Sequence, residues 1–242
     1  MPLPMPRTGS IVVLTGAGIS AESGLPTFRG AGGLWEGHRA EEVATPEAFA
    51  RDPTLVHRFY NLRRRQLRDP AIQPNAAHRA LARLAAAWRG GCLLVTQNVD
   101  DLHERAGSHD VVHLHGELMR VRCTACGDER LWLRDLEVAT ACPACAATGT
   151  LRPAVVWFGE MPRHLERITA ALRDCALFLA IGTSGNVYPA AGFVALVRDR
   201  GRAHTIELNL EPSAMRSDFA EARHGPAGTT VPALVDELLA AR

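Results

Sequence analysis

Lysine is missing from this 242-residue chain, and all 27 basic residues are arginine. No lysine side chain is therefore available for modification, and the bias, with abundant alanine, fits the coding of a GC-rich bacterial genome. An excess of charge of either sign is missing too. The 27 basic residues face 26 acidic ones, which leaves no general electrostatic footprint for nucleic acid or an anionic membrane. No apolar run approaches the roughly 20 residues of a membrane-spanning helix. The opening Met1-Pro2-Leu3-Pro4-Met5-Pro6 has none of the apolar stretch of a secretory signal. A cytoplasmic protein with no nucleic-acid and no membrane partner is expected. Internal repeats are also absent, and the length suits one α/β core with a small satellite.

Of the six cysteines, Cys92 and Cys175 stand alone in apolar stretches and read as small buried hydrophobes. The other four form Cys123-x-x-Cys126 and Cys142-x-x-Cys145, with fifteen residues between the pairs. In a reducing cytosol that spacing predicts a four-thiolate zinc ribbon over residues 121–152, and disulfides are the poorer reading. Four protein ligands fill a tetrahedral site, so the zinc is expected to be structural.

What the chain does have is a series of short apolar runs, each followed by glycine or polar groups. Ile11-Val12-Val13-Leu14 reads as a buried parallel strand, and Gly16-Ala17-Gly18 comes directly after it. Lacking the third glycine of the dinucleotide fingerprint, this turn alone fits either a tight strand-to-helix connection or a phosphate-binding loop. Gly24, Pro26 and Gly30 argue against an immediate regular helix and favour a loop that covers a ligand. Trp35 fits either packing or a cap on a bound base. Cys92-Leu93-Leu94-Val95-Thr96 is a second strand, ending in Gln97-Asn98-Val99-Asp100, where open α/β sheets place ligands. Asn98 and Asp100 can bind ribose hydroxyls or an amide, or cap the helix that follows. A short strand over residues 111–114 ends at His115-Gly116. His115 is better placed as a general base than His113, which is expected behind it or at the surface. Residues 176–181 form a further strand that runs into Gly182-Thr183-Ser184-Gly185-Asn186, a second glycine-rich turn in the same position relative to its strand. Residues 155–158 suit a strand or an extended edge, and residues 203–208 another strand. Helices are predicted over residues 53–67, 76–89, 163–173 and 231–241, with one more after Pro189.

In the first of these helices Leu55, Phe59 and Leu62 are expected to make the buried stripe. Tyr60 and Arg63, three apart, share a face. They can converge on one carboxylate, or be ordinary residues of a solvated arginine-rich face.

Taken together, Gly16-Ala17-Gly18-Ile19-Ser20, Ser23-Gly24-Leu25-Pro26, Phe28-Arg29-Gly30, Thr96-Gln97-Asn98-Val99-Asp100, His115-Gly116, the four cysteines, Phe158-Gly159-Glu160 and Gly182-Thr183-Ser184 resemble the sirtuins, the NAD-dependent protein lysine deacylases. The likeness runs from about Ser10 to the C-terminal helix. It implies an α/β fold, a Rossmann-like doubly wound parallel sheet with a small zinc-ribbon module inserted, forming one catalytic domain over residues 1–242. It implies an NAD site drawn from Gly16, Ala17, Gly18, Ser20, Ala21, Glu22, Thr27, Phe28, Arg29, Trp35, Gln97, Asn98, Val99, Asp100, Gly182, Thr183, Ser184, Asn209, Leu210, Glu211 and Ala227.

In the chemistry so implied, the amide oxygen of an acyl-lysine attacks the C1′ carbon of the nicotinamide ribose and nicotinamide leaves. His115 serves as the base for a ribose hydroxyl, while Asn98 and Asp100 orient ribose and nicotinamide. The products are free lysine, nicotinamide and O-acyl-ADP-ribose. The substrate is an acyl-lysine peptide or protein, paired as a strand between Val156, Phe158, Gly159 and Glu160 on one side and Gly185 and Asn186 on the other. Many members of the family carry aspartate where Thr27 stands. Thr27 with Tyr60 and Arg63 resembles the branch that removes acidic acyl groups, succinyl and malonyl. A charge-assisted contact there is worth roughly 1.5–3 kcal/mol, enough to choose between acyl chains. Two other readings stay open: ADP-ribosyl transfer from the same NAD site, and a non-catalytic NAD or zinc-ribbon binding module. A monomer is expected.

Overall fold

A computed structural model describes Pro6, residues 8–27 and residues 38–240, together with the backbone of residues 34–35. In chain order the strands are β1 (Ile11–Thr15), β2 (Leu34–Trp35), β3 (His38–Arg39), β4 (Cys92–Thr96), β5 (Val112–His113), β6 (Gly116–Cys123), β7 (Glu129–Leu131), β8 (Leu151–Val155), β9 (Leu177–Ile181), β10 (His204–Asn209) and β11 (Glu221–His224). The α-helices are α1 (Ala40–Val43), α2 (Pro46–Arg51), α3 (Pro53–Leu67), α4 (Ala76–Ala87), α5 (Leu102–Arg105), α6 (Leu165–Asp174), α7 (Phe193–Arg200) and α8 (Ala227–Ala240).

Among the described residues six strands form one parallel sheet in the order β11-β10-β9-β1-β4-β5. The apolar runs become central strands because both of their faces are covered. Ile11 and Val13 of β1 join Leu81, Leu84, Val231, Leu234 and Leu238 of α4 and α8 on one side. Val12 and Leu14 join Ile168, Leu172, Phe193 and Val197 of α6 and α7 on the other. This period of two across β1, with helices on both faces, is the doubly wound arrangement expected from the sequence. The chain builds outward from β1 to β4 and β5, then returns to build β9, β10 and β11 on the other side of β1. That reversal is the switch point at which such sheets bind ligands, beyond the carboxyl ends of the strands. Thr15, Thr96 and Ile181 lie level across β4, β1 and β9, so the loops after these three strands start from one line.

A second unit sits over that end of the sheet. Strands β7, β6 and β8 form an antiparallel sheet, with a register shift between Glu117 and Val121. One end of it packs with α1–α3 around Val56, Phe59, Tyr60, Leu118 and Trp157. The other end holds the cysteine module around Val121, Trp132, Leu136, Cys142 and Leu151.

Helix α3 has the predicted bounds but turns a different face inward. Leu62 is 46% exposed, whereas Val56, Phe59, Tyr60, Arg64 and Leu67 are buried. The face follows the two elements the helix bridges: the Asn61 side chain accepts from Leu136 N and donates to Leu136 O, each at 2.9 Å, and Asn61 also accepts from Arg64 at 2.7 Å. Pro46 is the first residue of α2, whose Thr45 cap accepts from Ala48 N at 3.0 Å. The last helix starts at Ala227, four residues earlier than predicted.

Candidate functional site

The two glycine-rich turns meet over the switch point. After β1 the chain enters a 3-10 helix, Ala17–Ser23, which stops at Gly24 in the left-handed conformation (φ 88°). Gly18 N donates to Gly182 O at 2.8 Å, and a Cβ on Gly18 would lie 2.7 Å from the Gly182 Cα. Only glycine on both turns permits this approach. Gln97 then joins the second turn through Thr183 Oγ1 (3.0 Å), and Asn209 bonds Thr183 O at 2.9 Å. The loops of four strands thereby line a cavity of about 630 Å³. Gly16, Ala17, Gly18, Ser20, Thr27, Gln97, Asn98, Val99, Asp100, His115, Gly182, Thr183, Ser184, Asn209 and Glu211 all border it.

Beneath the first turn lies a buried polar cluster. Asn98 Nδ2 donates to Gly16 O (3.2 Å) and Ser20 Oγ (3.1 Å), and Ser20 Oγ donates to Asp100 Oδ2 (3.1 Å). Burial pushes the Asp100 carboxyl up to about 6, against the bonds it accepts from Leu102 N and Ser20. Two histidines that the sequence did not single out complete the cluster: His78 Nε2 lies 3.5 Å from Ser20 Oγ, and His103 Nε2 lies 3.0 Å from Thr15 Oγ1. Burial lowers His78 to about 4 and His103 well below its ordinary value, so both are neutral at pH 7. They meet edge to face at 4.9 Å. Nothing local in the sequence marks them; the long-range packing of α4 and α5 brings them in.

His115 lies at the edge of the cavity, with Nδ1 3.0 Å from Gln97 O. A carbonyl only accepts, so Nδ1 carries the hydrogen and the neutral ring keeps its basic lone pair on Nε2. Burial lowers its pKa, with the Gln97 carbonyl acting in the opposite sense. His113 is not at the surface. It is 7% exposed, with Nδ1 3.3 Å from Asn98 O and Nε2 2.7 Å from Glu104. Burial acts to lower its pKa, but the Glu104 carboxylate raises it overall.

Tyr60, Arg63 and Thr27 border the same cavity, joined by Leu25 and Pro26 of the first loop and by Gln66 and Leu118, two residues that the sequence did not single out. Tyr60 is wholly buried, its hydroxyl accepting from Trp157 Nε1 at 2.9 Å. Burial holds its pKa far above the usual phenol value, so the hydroxyl keeps its hydrogen. Arg63 lies over the Phe59 ring at 4.3 Å and donates to Phe59 O at 3.3 Å. Val156, Phe158, Gly159, Glu160 and Asn186 border the cavity too. The N–H groups of Val156 and Phe158 are held by His115 O (2.8 Å) and Ala44 O (2.9 Å), so a peptide pairing there cannot use those two donors.

Five expected residues do not border the cavity. Ala21 and Glu22 face outward from the 3-10 helix, and Glu22 accepts from Gly228 N at 2.8 Å near Ala227, which opens α8. Leu210 is 50% exposed, and Gly185 backs onto Met215. Phe28 and Arg29 lie outside the described residues, as does the Trp35 side chain.

The four thiolates of Cys123, Cys126, Cys142 and Cys145 lie within 4.8 Å of one another, with the Cys123–Cys145 and Cys126–Cys142 sulfurs at 3.8 Å. Tetrahedral zinc with Zn–S of about 2.3 Å requires sulfur separations of about 3.8 Å, whereas a disulfide requires about 2.05 Å. The donor set and its spacing fit zinc.

Residues 16–189 match the family model described as the Sir2 family. The chain belongs to the Sir2 family. Among curated Sir2-type relatives, the NAD-dependent protein deacylase of Escherichia coli strain K12 is 58% identical over 229 residues, 95% of this chain and 82% of that protein. That of Bdellovibrio bacteriovorus is 57% identical over 230 residues, 95% and 97% of the two. Among solved structures, a Sir2 homologue in complex with NAD has a TM-score of 0.86 at 42% identity, covering 96% of this chain and 90% of its own. A Sir2 complex with a p53 peptide and NAD has a TM-score of 0.78 at 27% identity, covering 94% and 92%.

Proposed function

We propose that this Sir2-family chain is an NAD-dependent protein deacylase that removes acyl groups from lysine side chains. The observation that carries the proposal is His115, its Nδ1–H fixed on Gln97 O beside a cavity that both glycine turns border. NAD, when bound, supplies an electrophilic ribose carbon with nicotinamide as its leaving group. The turns that Gly16, Gly18 and Gly182 bring together would hold its phosphates and ribose through the backbones of Ala17, Thr183 and Ser184. Asn98 and Asp100, tied together by Ser20, would orient the nicotinamide ribose, and Nε2 of His115 would take the proton from a ribose hydroxyl. Leu25, Pro26 and Thr27, which border the cavity, would help to exclude water. Tyr60 and Arg63 would accept the carboxylate of a succinyl or malonyl group, the hydroxyl donating once and the guanidinium supplying the charge. Since Tyr60 is wholly buried, a carboxylate reaches it only as that wall of the cavity yields slightly.

Cys123, Cys126, Cys142 and Cys145 would hold one zinc ion whose contribution is structural, far along β6 from His115. A monomeric, cytoplasmic enzyme without nucleic-acid or membrane partners belongs to the same proposal. Among the described residues no helix is long and apolar enough to cross a membrane. The test is a panel of acetyl-, succinyl- and malonyl-lysine peptides, with and without NAD, read by mass spectrometry for free lysine and O-acyl-ADP-ribose. NAD-dependent release with faster turnover of the acidic acyl groups is expected. Transfer of labelled ADP-ribose onto protein without deacylation would overturn it.

A further inference from the structure

The hydroxyl of Tyr60 is held in one orientation by a side chain that belongs to neither half of the acyl-binding pair. Indole is a donor only, so the 2.9 Å contact between Trp157 Nε1 and Tyr60 Oη has one sense: Trp157 donates and the phenol oxygen accepts. The phenol hydrogen therefore points away from Trp157. Trp157 is itself locked. The residue is 2% exposed, its backbone N–H donates to Glu160 Oε2 at 2.8 Å, and the Arg152 guanidinium covers the indole face at 3.4 Å. Arg152 in turn grips both Glu160 oxygens (2.6 and 2.9 Å) and donates to Val155 O at 2.8 Å. The brace closes on itself: Arg152 fixes Glu160, Glu160 fixes the Trp157 backbone, and Arg152 presses the ring into place. Phe49 packs against the indole at 5.4 Å.

We propose that Trp157, held by Arg152 and Glu160, is a positioning residue for acyl selectivity, turning Tyr60 into a hydrogen donor aimed at a carboxylate. The inference rests on the reading of Tyr60 and Arg63 as the acidic-acyl pair. A neutral acetyl group has no carboxylate to receive that hydrogen, so only acidic acyl chains sense the orientation. Without the indole N–H the hydroxyl can rotate and spend its hydrogen elsewhere.

Steady-state kinetics of succinyl- and acetyl-lysine peptides tests this with wild type, Tyr60→Phe, Arg63→Met, Trp157→Phe, Trp157→His and Tyr60→Phe/Trp157→Phe, each checked by thermal melting. Trp157→Phe keeps an aromatic ring without the N–H. It is expected to raise the succinyl KM five- to tenfold while changing succinyl kcat and both acetyl constants less than twofold. The double variant should be no worse than Tyr60→Phe alone, because both changes remove one interaction. Trp157→His places a ring nitrogen near the position of the indole nitrogen and should recover part of the loss. Should Trp157→Phe not fold, Arg152→Gln loosens the same ring and is expected to lower the succinyl-to-acetyl ratio as well. Equal losses on both peptides, losses that multiply in the double variant, or an unchanged ratio overturn the proposal. If Tyr60→Phe and Arg63→Met themselves leave the ratio unchanged, the acidic-acyl reading fails first; if they lower it and Trp157→Phe does not, only the positioning role fails.

Discussion

Asp100, which borders the cavity, is held by hydrogen bonds but destabilised as a charge. Its folded-state pKa of about 6 stands above the 3.8 of an ordinary aspartate, chiefly through burial. Between those values the folded protein holds more protons than the unfolded one, so stability falls as pH rises from about 4 to about 6 and stays lower above that. Asp100→Asn removes the charge. It is expected to unfold later at pH 7, by something on the order of 1–3 kcal/mol, and to lose the slope between pH 4 and 6, while deacylation falls at least tenfold. Denaturant titration across pH checks this; a variant less stable at pH 7 with the slope intact contradicts it. His115 gives the opposite kind of pH signal. In the proposed role of base it must be neutral, and its pKa lies below the usual 6.5 through burial. Turnover is therefore expected to hold through neutral pH and to drop only on the acid side of 6.5, and a pH–rate profile with its acidic inflection above 7 rules that out. Asn98, Asp100 and His115 were legible because each comes within four residues of a strand's carboxyl end. His78 and His103 were not, since a single histidine within a helix carries no pattern that tells a buried partner from a surface one.

The capping residue of α4 does two tasks at once. Asn75 Oδ1 accepts from Ala77 N (2.9 Å) and His78 N (3.4 Å), while its Nδ2 donates to Ile19 O (2.7 Å) and Ser23 Oγ (3.0 Å). The cap thus ties α4 to the 3-10 helix of the first glycine turn. Asn75→Ala is expected to cost about 2 kcal/mol, more than an ordinary cap, and to raise the KM for NAD severalfold. Calorimetry and initial rates measure the two. An effect on stability alone would separate the cap from the site. The cysteine module acts through β6, which carries Cys123 at one end and Gly116, next to His115, at the other. Cys142→Ser is expected to abolish zinc binding by metal analysis, to lower the melting temperature by several degrees and to reduce turnover without moving the pH profile. A shifted profile would mean that the metal reaches the chemistry. Strands β6 and β7 escaped the sequence reading because Glu117, Arg120 and Arg122 interrupt the apolar residues of β6, and β7 is only Glu129-Arg130-Leu131. The face of α3 escaped it because Arg64, 1% exposed, sits inside on the Asn61 side chain, where a charge is the last residue a hydrophobic stripe predicts.

At the scale of the molecule, the parallel sheet was readable because strands covered on both faces are written as apolar runs, the form of β1, β4 and β9, whereas β10 sets Ile206 and Leu208 among polar residues. Its edge strand β11, Glu221–His224, was not, being half-exposed and polar. Nor does any local pattern reveal that a sheet and a helical satellite, distant in sequence, enclose one cavity. The level ends of β4, β1 and β9 have a consequence for how this chain can vary. Each strand advances about 3.3 Å per residue, so one inserted residue in β1 displaces the Gly16–Gly18 turn by about that distance relative to Gly182. It also exchanges the two faces of every residue beyond it. Val13→Ile is expected to leave NAD-dependent turnover within twofold, whereas one alanine inserted after Val13 should abolish it even in protein that still binds zinc. The site tolerates changes of letter in its supporting strands far better than changes of length.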